Sequence, residues 1–240
     1  MAVGKEKAMQ QQNRIEGLER SLTTPRAAGV AGVLFALLFG ASTVMIRLAF
    51  PSGLLDHVTW TGRQVSLVTW AATLVPFAGI AFLWFLGVLR DRLGSLEDKF
   101  FASVFYGSGL LFVAMIFAAS ALAAGIVGSL EIVSGSAEGA HVLTFGRVLM
   151  YQFMNIYAIR MAGVCMISLS TVWLRTGVMP RPAALVTLAI ALVLLLVISF
   201  SLWIVLVFPA WVLSISLYIL YLNLRQHRGS QSNGLGPSET

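Results

Sequence analysis

"VLMYQFMNIYAIRMAGVCMISLSTVWL", Val148 to Leu174, is apolar along its length except near the middle, where Arg160 stands. Whether this stretch crosses a bilayer decides the fold, because the parity of crossings sets whether the two ends of the chain share a side. The 12 residues before Arg160 and the 14 after it are each too short to cross alone. A hydrocarbon core of about 30 Å takes about 20 helical residues. The stretch therefore reads as one span with a charge inside it.

The rest of the chain supplies the other spans. It is 58% hydrophobic and 11% charged, where a soluble domain carries about 25% charged residues. Uncharged runs of 20, 26, 31 and 43 residues separate Arg26 from Arg47, Arg63 from Arg90, Lys99 from Glu131 and Arg181 from Arg225. The first three cross once each. The last crosses twice, since a single helix of its 43 residues would reach roughly 65 Å. The expected fold is an all-α polytopic integral membrane protein, a bundle of six transmembrane helices. Its spans fall at 26–49, 64–89, 100–127, 147–173, 182–204 and 208–224. They form a membrane domain over 26–225, between a polar tail at 1–25 and a disordered tail at 226–240 rich in Gly and Ser.

Orientation follows from the cations. Lys5, Lys7, Arg14, Arg20, Arg26, Arg90, Arg92, Lys99, Arg175, Arg181, Arg225 and Arg228 fall on one side of this threading, and Arg47, Arg63 and Arg147 on the other. The positive-inside rule then places both termini in the cytoplasm and the chain in the plasma (inner) membrane. The net charge of +6 is accounted for by orientation and anionic lipid, so the partners implied are the bilayer and other membrane subunits or a second copy, and no nucleic acid. Thr24-Pro25 caps and opens the first helix, Pro182 the fifth and Pro209 the sixth. Trp60, Trp203 and Trp211 are expected at the outer interface, and Trp84, Trp173 and Tyr221 at the inner one.

The densest run of charge, RDRLGSLEDKF from Arg90 to Phe100, lies between the second and third spans. Arg90 and Arg92 fall where a helix ends and Glu97 and Asp98 where the next begins, the arrangement that both helix dipoles favour. Gly94 suits a helix end, and Ser95 with Asp98 resembles a capping box. The run reads first as a tight hairpin. Its functional alternative is a cytoplasmic docking loop made by Arg90, Asp91, Arg92, Glu97, Asp98 and Lys99.

Around this run, Leu74 to Met115, LVPFAGIAFLWFLGVLRDRLGSLEDKFFASVFYGSGLLFVAM, resembles an uncharacterised family of bacterial, actinobacterial-type, multi-span integral membrane proteins. The resemblance is confined to these residues. It implies a bacterial membrane protein with no assigned activity and carries over no catalytic or binding residue.

Arg160 is the intramembrane group that most needs an explanation, since a charge at a helix centre costs about 2.5 to 3.5 kcal/mol to insert. The spans contain no Asp, Glu or His to pair with it. Pro76, near the middle of the second span, lacks an N–H and frees the carbonyl of Ala72. The expectation is that Arg160, helped by Asn155 and Gln152, engages that carbonyl or an anion beside it. The plainer reading is that Arg160 pins its helix to neighbouring helices. Small residues on the third span, among them Gly107, Gly109, Ala119, Ala123 and Gly125, read as packing.

Enzyme chemistry finds no support. Gly107-Ser108-Gly109 has no embedded histidine to serve as base, His57, His141 and His227 lie in loops or a tail, and Cys165 is the single cysteine. Asp56, His57, Glu131, Glu138 and His141 match no metal-ligand spacing. No catalytic, metal or cofactor residue is assigned. Two classes stand level: a structural or accessory subunit of a membrane assembly, and a small transporter or channel for an anionic or neutral solute built on Arg160 and the helix bent at Pro76.

Overall fold

The computed structural model describes residues 25–50, 60–94, 99–133, 137–177, 179–196 and 202–233. Among them the fold is all-α, with no strand. We number the helices α1 (Pro25–Ala49), α2 (Gly62–Gly94), α3 (Lys99–Gly128), α4 (Leu130–Val133), α5 (Ala137–Gln152), α6 (Ile159–Thr176), α7 (Arg181–Leu196) and α8 (Val207–Asn233). A π-helical turn, Phe153–Ala158, joins α5 to α6, and a 3₁₀ turn, Leu202–Leu206, precedes α8.

Five helical segments are long and apolar enough to cross a membrane: Arg26–Ala49, Gly62–Asp91, Phe100–Ile132, Gly139–Thr176 and Trp203–Leu222. The apolar α7 is shorter; its 16 residues reach about 24 Å. The architecture is that of a polytopic membrane protein. Pro25 is the first described residue of α1, the expected Thr24 cap lying outside the described residues, and Pro182 and Pro209 fall in the first turns of α7 and α8. There a missing N–H leaves no hydrogen bond broken.

Three boundaries differ from the sequence expectation. The span placed at 147–173 is the central part of a rod of 38 residues, Gly139–Thr176. No proline interrupts it, and Gly146 lets α5 lie close against Ile126 of α3. The fifth span, expected to reach residue 204, is described as α-helix over Arg181–Leu196, and Leu202–Leu206 at its expected end form the 3₁₀ turn. The tail expected to be disordered from 226 is helical to Asn233, because Gly229 is the one poor helix former before Ser230 and the first proline comes at Pro237. Residues 1–24 and 234–240 lie outside the described residues, as do Ser95, Glu97 and Asp98 of the expected hairpin.

The helices form an arc in the order α7, α6, α3, α2, α1, α8, each packed on the next. Inside the arc the core is a cluster of phenylalanines. Phe35 of α1 lies 5.4 Å from Phe39, 4.5 Å from Phe82 of α2, 6.2 Å from Phe112 of α3 and 6.1 Å from Phe208 of α8, centroid to centroid. All five rings are fully buried. Edge-on contacts of this kind add to the dispersion that holds membrane helices together where lipid offers no hydrophobic drive. Of the small residues expected to pack on α3, Gly109 receives Leu86 of α2, while Gly107 and Gly125 face open space.

The polar ends are fastened by cations on rings. The guanidinium of Arg90 lies 4.6 Å from the ring of Tyr106, that of Arg175 lies 4.9 Å from Phe101, and at the other end Arg47 lies 5.7 Å from Trp203. Each ties two elements together across a membrane surface. Trp84 and Tyr221 are exposed as interfacial aromatics should be. Trp211 and Trp173, expected at opposite interfaces, are instead both buried with ring centroids 6.4 Å apart. Trp211 stacks on Phe208 and gives its indole N–H to Thr187 Oγ1 at 3.1 Å, which removes the need for a wet interface.

Candidate functional site

The α5–π–α6 rod carries every polar group that the sequence singled out inside the membrane apart from Ala72 and Pro76. Its buried positions repeat at intervals of four: Met150, Met154, Ala158, Ala162 and Met166, with Tyr151, Asn155, Ile159 and Gly163 beside them. In a regular α-helix each step of four drifts by about 40° around the axis, so four such steps would carry the stripe off the buried face. The π turn at Phe153–Ala158 absorbs one extra residue and brings the stripe back. Such turns are rare and recur at functional sites.

Three polar residues occupy this buried face, two before the turn and one, Asn155, within it. Arg147 is 4% exposed, Tyr151 4% and Asn155 3%. Spaced by four, they stack one above the next on a single face. Arg147 and Arg47, at the end of α1, both act electrostatically on Tyr151. The carboxamide of Asn155 has no hydrogen-bond partner on either its oxygen or its nitrogen. A buried amide left in this state costs about 1 to 3 kcal/mol. Sequence reasoning took Arg147 for an outer-loop cation and passed over Tyr151. The four-residue spacing of Arg147, Tyr151 and Asn155 was the available signal.

Arg160 lies one turn past Asn155, at the margin of the buried face next to Ile159. It is partly exposed, beside Tyr157, which is 54% exposed. Its Nη1 donates a long hydrogen bond of 3.4 Å to the carbonyl of Ile156, inside the π turn. That carbonyl also accepts the N–H of Ile159. The guanidinium thus folds back on its own helix. Gln152 closes α5 at the near edge of the turn, partly buried and making no capping bond.

The expected meeting of Arg160 with Ala72 and Pro76 is not what the fold brings about. Pro76 is exposed on the outer surface of α2, next to Phe77 and Ile80, and Ala72 is partly buried one turn away. α3 lies between α2 and α6 and packs on both. With Pro76 turned to the outer surface and the guanidinium of Arg160 bonded to the carbonyl of Ile156 on its own helix, the two are not brought together.

The other singled-out groups are structurally engaged. Ser108 gives its hydroxyl to the carbonyl of Val104 at 2.7 Å, and the buried Cys165 of α6 lies within hydrogen-bonding reach of it. In the charged run between α2 and α3, Arg90 and Asp91 are exposed, with Arg90 on Tyr106. Glu97, Asp98 and the side chains of Arg92 and Lys99 lie outside the described residues. Among the described residues no cluster of three or more His, Cys, Asp or Glu side chains is placed to hold a metal. Comparison with protein families, with curated proteins and with solved structures finds no match to the chain.

Proposed function

We propose that the chain is a structural or accessory subunit of a membrane assembly. The observation that carries this reading is the position of Arg160, within the apolar rod, part-buried at the margin of its buried face and making one long bond to its own helix. Counted from Arg175 at the end of α6 it lies about 22 Å along the axis, inside a hydrocarbon core of about 30 Å. A charge at this depth is expected to face protein or water and not lipid. A neighbouring subunit offering a carboxylate or carbonyls would cover it.

The length of the rod supports the same reading. Its 38 residues reach about 57 Å, or about 54 Å at a typical tilt of about 20°, against about 45 Å for a bilayer with its headgroups. Since Arg175 and Phe101 mark one surface, the excess emerges at the Ala137 end. There Ile132 and Val142 are 86% and 60% exposed. Large apolar side chains standing clear of a membrane favour contact with another protein.

The test is purification in mild detergent followed by native electrophoresis. The wild-type chain should migrate in a heteromeric particle and Arg160→Leu as the lone chain with an unchanged melting temperature. An Arg160→Leu particle identical to wild type would sink this reading. A wild-type chain that purifies alone and melts higher with a specific anion would favour the rival, a small carrier or channel for an anionic or neutral solute. That rival draws on the buried Arg147, Tyr151 and Asn155 stripe. We further infer, from the twelve cations on one side of the threading, that both termini lie in the cytoplasm and the membrane is the plasma membrane. Reporter fusions at the two ends should give the same cytoplasmic signal.

A further inference from the structure

The two ends of the helical arc leave a groove. α7 packs on α6 and α8 on α1, while the backbones of α7 and α8 stay apart. Gly163 lets α7 approach α6 closely enough that a β-carbon there would lie 3.2 Å from the Ala191 carbonyl. α7 is thereby held to α6 and away from α8. The space between α7 and α8 has a volume of about 550 Å³ and is open along one side.

Its lining calls for an apolar occupant. Trp173 and Trp211 form part of its wall, with Ala183, Ile190 and Ala210 along its sides. Three of its polar side chains are satisfied internally: Trp211 donates to Thr187, and Ser214 donates to the carbonyl of Ala210 at 2.9 Å. Apart from the hydroxyl of Tyr218, the lining offers an occupant's polar groups little to pair with.

One end of the groove is charged. Met179, Pro180 and Ala183 line it where α7 begins, and Arg181 stands between two of them, exposed, in the first turn of α7. The positive end of the α7 dipole adds to the same sign. Left-handed Gly177, at φ 66°, ends α6 shortly before these residues. An apolar slot open to the bilayer with a cation at its mouth is complementary to a molecule having a hydrocarbon tail and an anionic head.

We propose that the α7–α8 groove binds one anionic phospholipid, an acyl chain lying between the helices and the headgroup phosphate held at Arg181. The site is independent of Arg160 and of the assembly that Arg160 is proposed to contact.

Native mass spectrometry tests it. The full chain in mild detergent is offered equal amounts of phosphatidylglycerol and phosphatidylcholine with the same acyl chains. Wild type should retain one phosphatidylglycerol, and excess inorganic phosphate should not displace it. Arg181→Gln should lower the preference for phosphatidylglycerol about fivefold, the size expected for one cation at an anionic headgroup. Ala183→Phe and Ala210→Leu, which fill the slot from opposite walls, should lose the lipid. Equal retention of the two lipids by wild type, an unchanged preference in Arg181→Gln, or retention in a folded slot-filling variant would overturn the proposal. So would a dimer free of lipid, which would make a second copy the occupant.

Discussion

Arg160 and Ile156 are joined within one helix, guanidinium Nη1 to carbonyl oxygen at 3.4 Å, across a turn wider than an α-turn. A guanidinium has five N–H groups, and one long bond to its own backbone satisfies few of them. Within the isolated chain Arg160 is therefore an insertion cost that its own fold only partly offsets. Arg160→Leu should insert more readily by about 2.5 to 3.5 kcal/mol. Apparent insertion free energies of the Val148–Leu174 segment, measured with a reporter of membrane integration, check this. Weaker insertion of the leucine variant would mean that the arginine orients the segment.

Asn155 gives a prediction with the opposite structural basis, because its carboxamide is buried and unpaired. Asn155→Leu, close in volume, should raise the stability of the purified chain by about 1 to 3 kcal/mol, the cost of an unsatisfied buried polar group. Thermal unfolding in detergent reports the sign. A lowered melting temperature would reveal that something satisfies the amide in the folded protein, and would strengthen the carrier reading over the accessory one.

Phe35 touches rings from α1, α2, α3 and α8 and is fully buried. Phe35→Ala should destabilise the fold by about 3 to 5 kcal/mol through the cavity it leaves. Phe35→Leu should cost less. Denaturant titration followed by tryptophan fluorescence measures both. A neutral alanine variant would show that the cluster collapses to fill the space.

The Trp211 to Thr187 hydrogen bond, 3.1 Å long, is the polar link described between α7 and α8. Trp211→Phe and Thr187→Val should each cost about 1 kcal/mol. The double variant should cost less than their sum, because the second substitution has no bond left to break. Strict additivity would place the two effects in packing alone.

The all-α class, the apolar segments and the approximate helix starts at Pro182 and Pro209 were legible in the sequence. Hydropathy runs and proline placement are properties of position along the chain, and a bilayer of fixed thickness converts them directly into crossings. The ends beyond the membrane were less legible. Nothing in the Ala137–Gly146 segment forbids a helix, so α5 continued where a loop was expected. The candidate site was half legible: Arg160, Asn155 and Gln152 do lie at or beside one turn, yet Ala72 and Pro76 do not reach it.

What the amino-acid order determined by itself is that the chain buries itself in lipid as helices and that Arg160 is carried inside one of them. Only the tertiary structure decided that Arg160 lies at the margin of the buried face while Arg147, Tyr151 and Asn155 lie within it, and that Trp173 meets Trp211. Lipid tails are as apolar as leucine, so membrane helices show little contrast between their buried and lipid-facing sides. Which side turns inward is then settled by ring packing, glycine contacts and one π turn, each of which depends on neighbours distant along the chain.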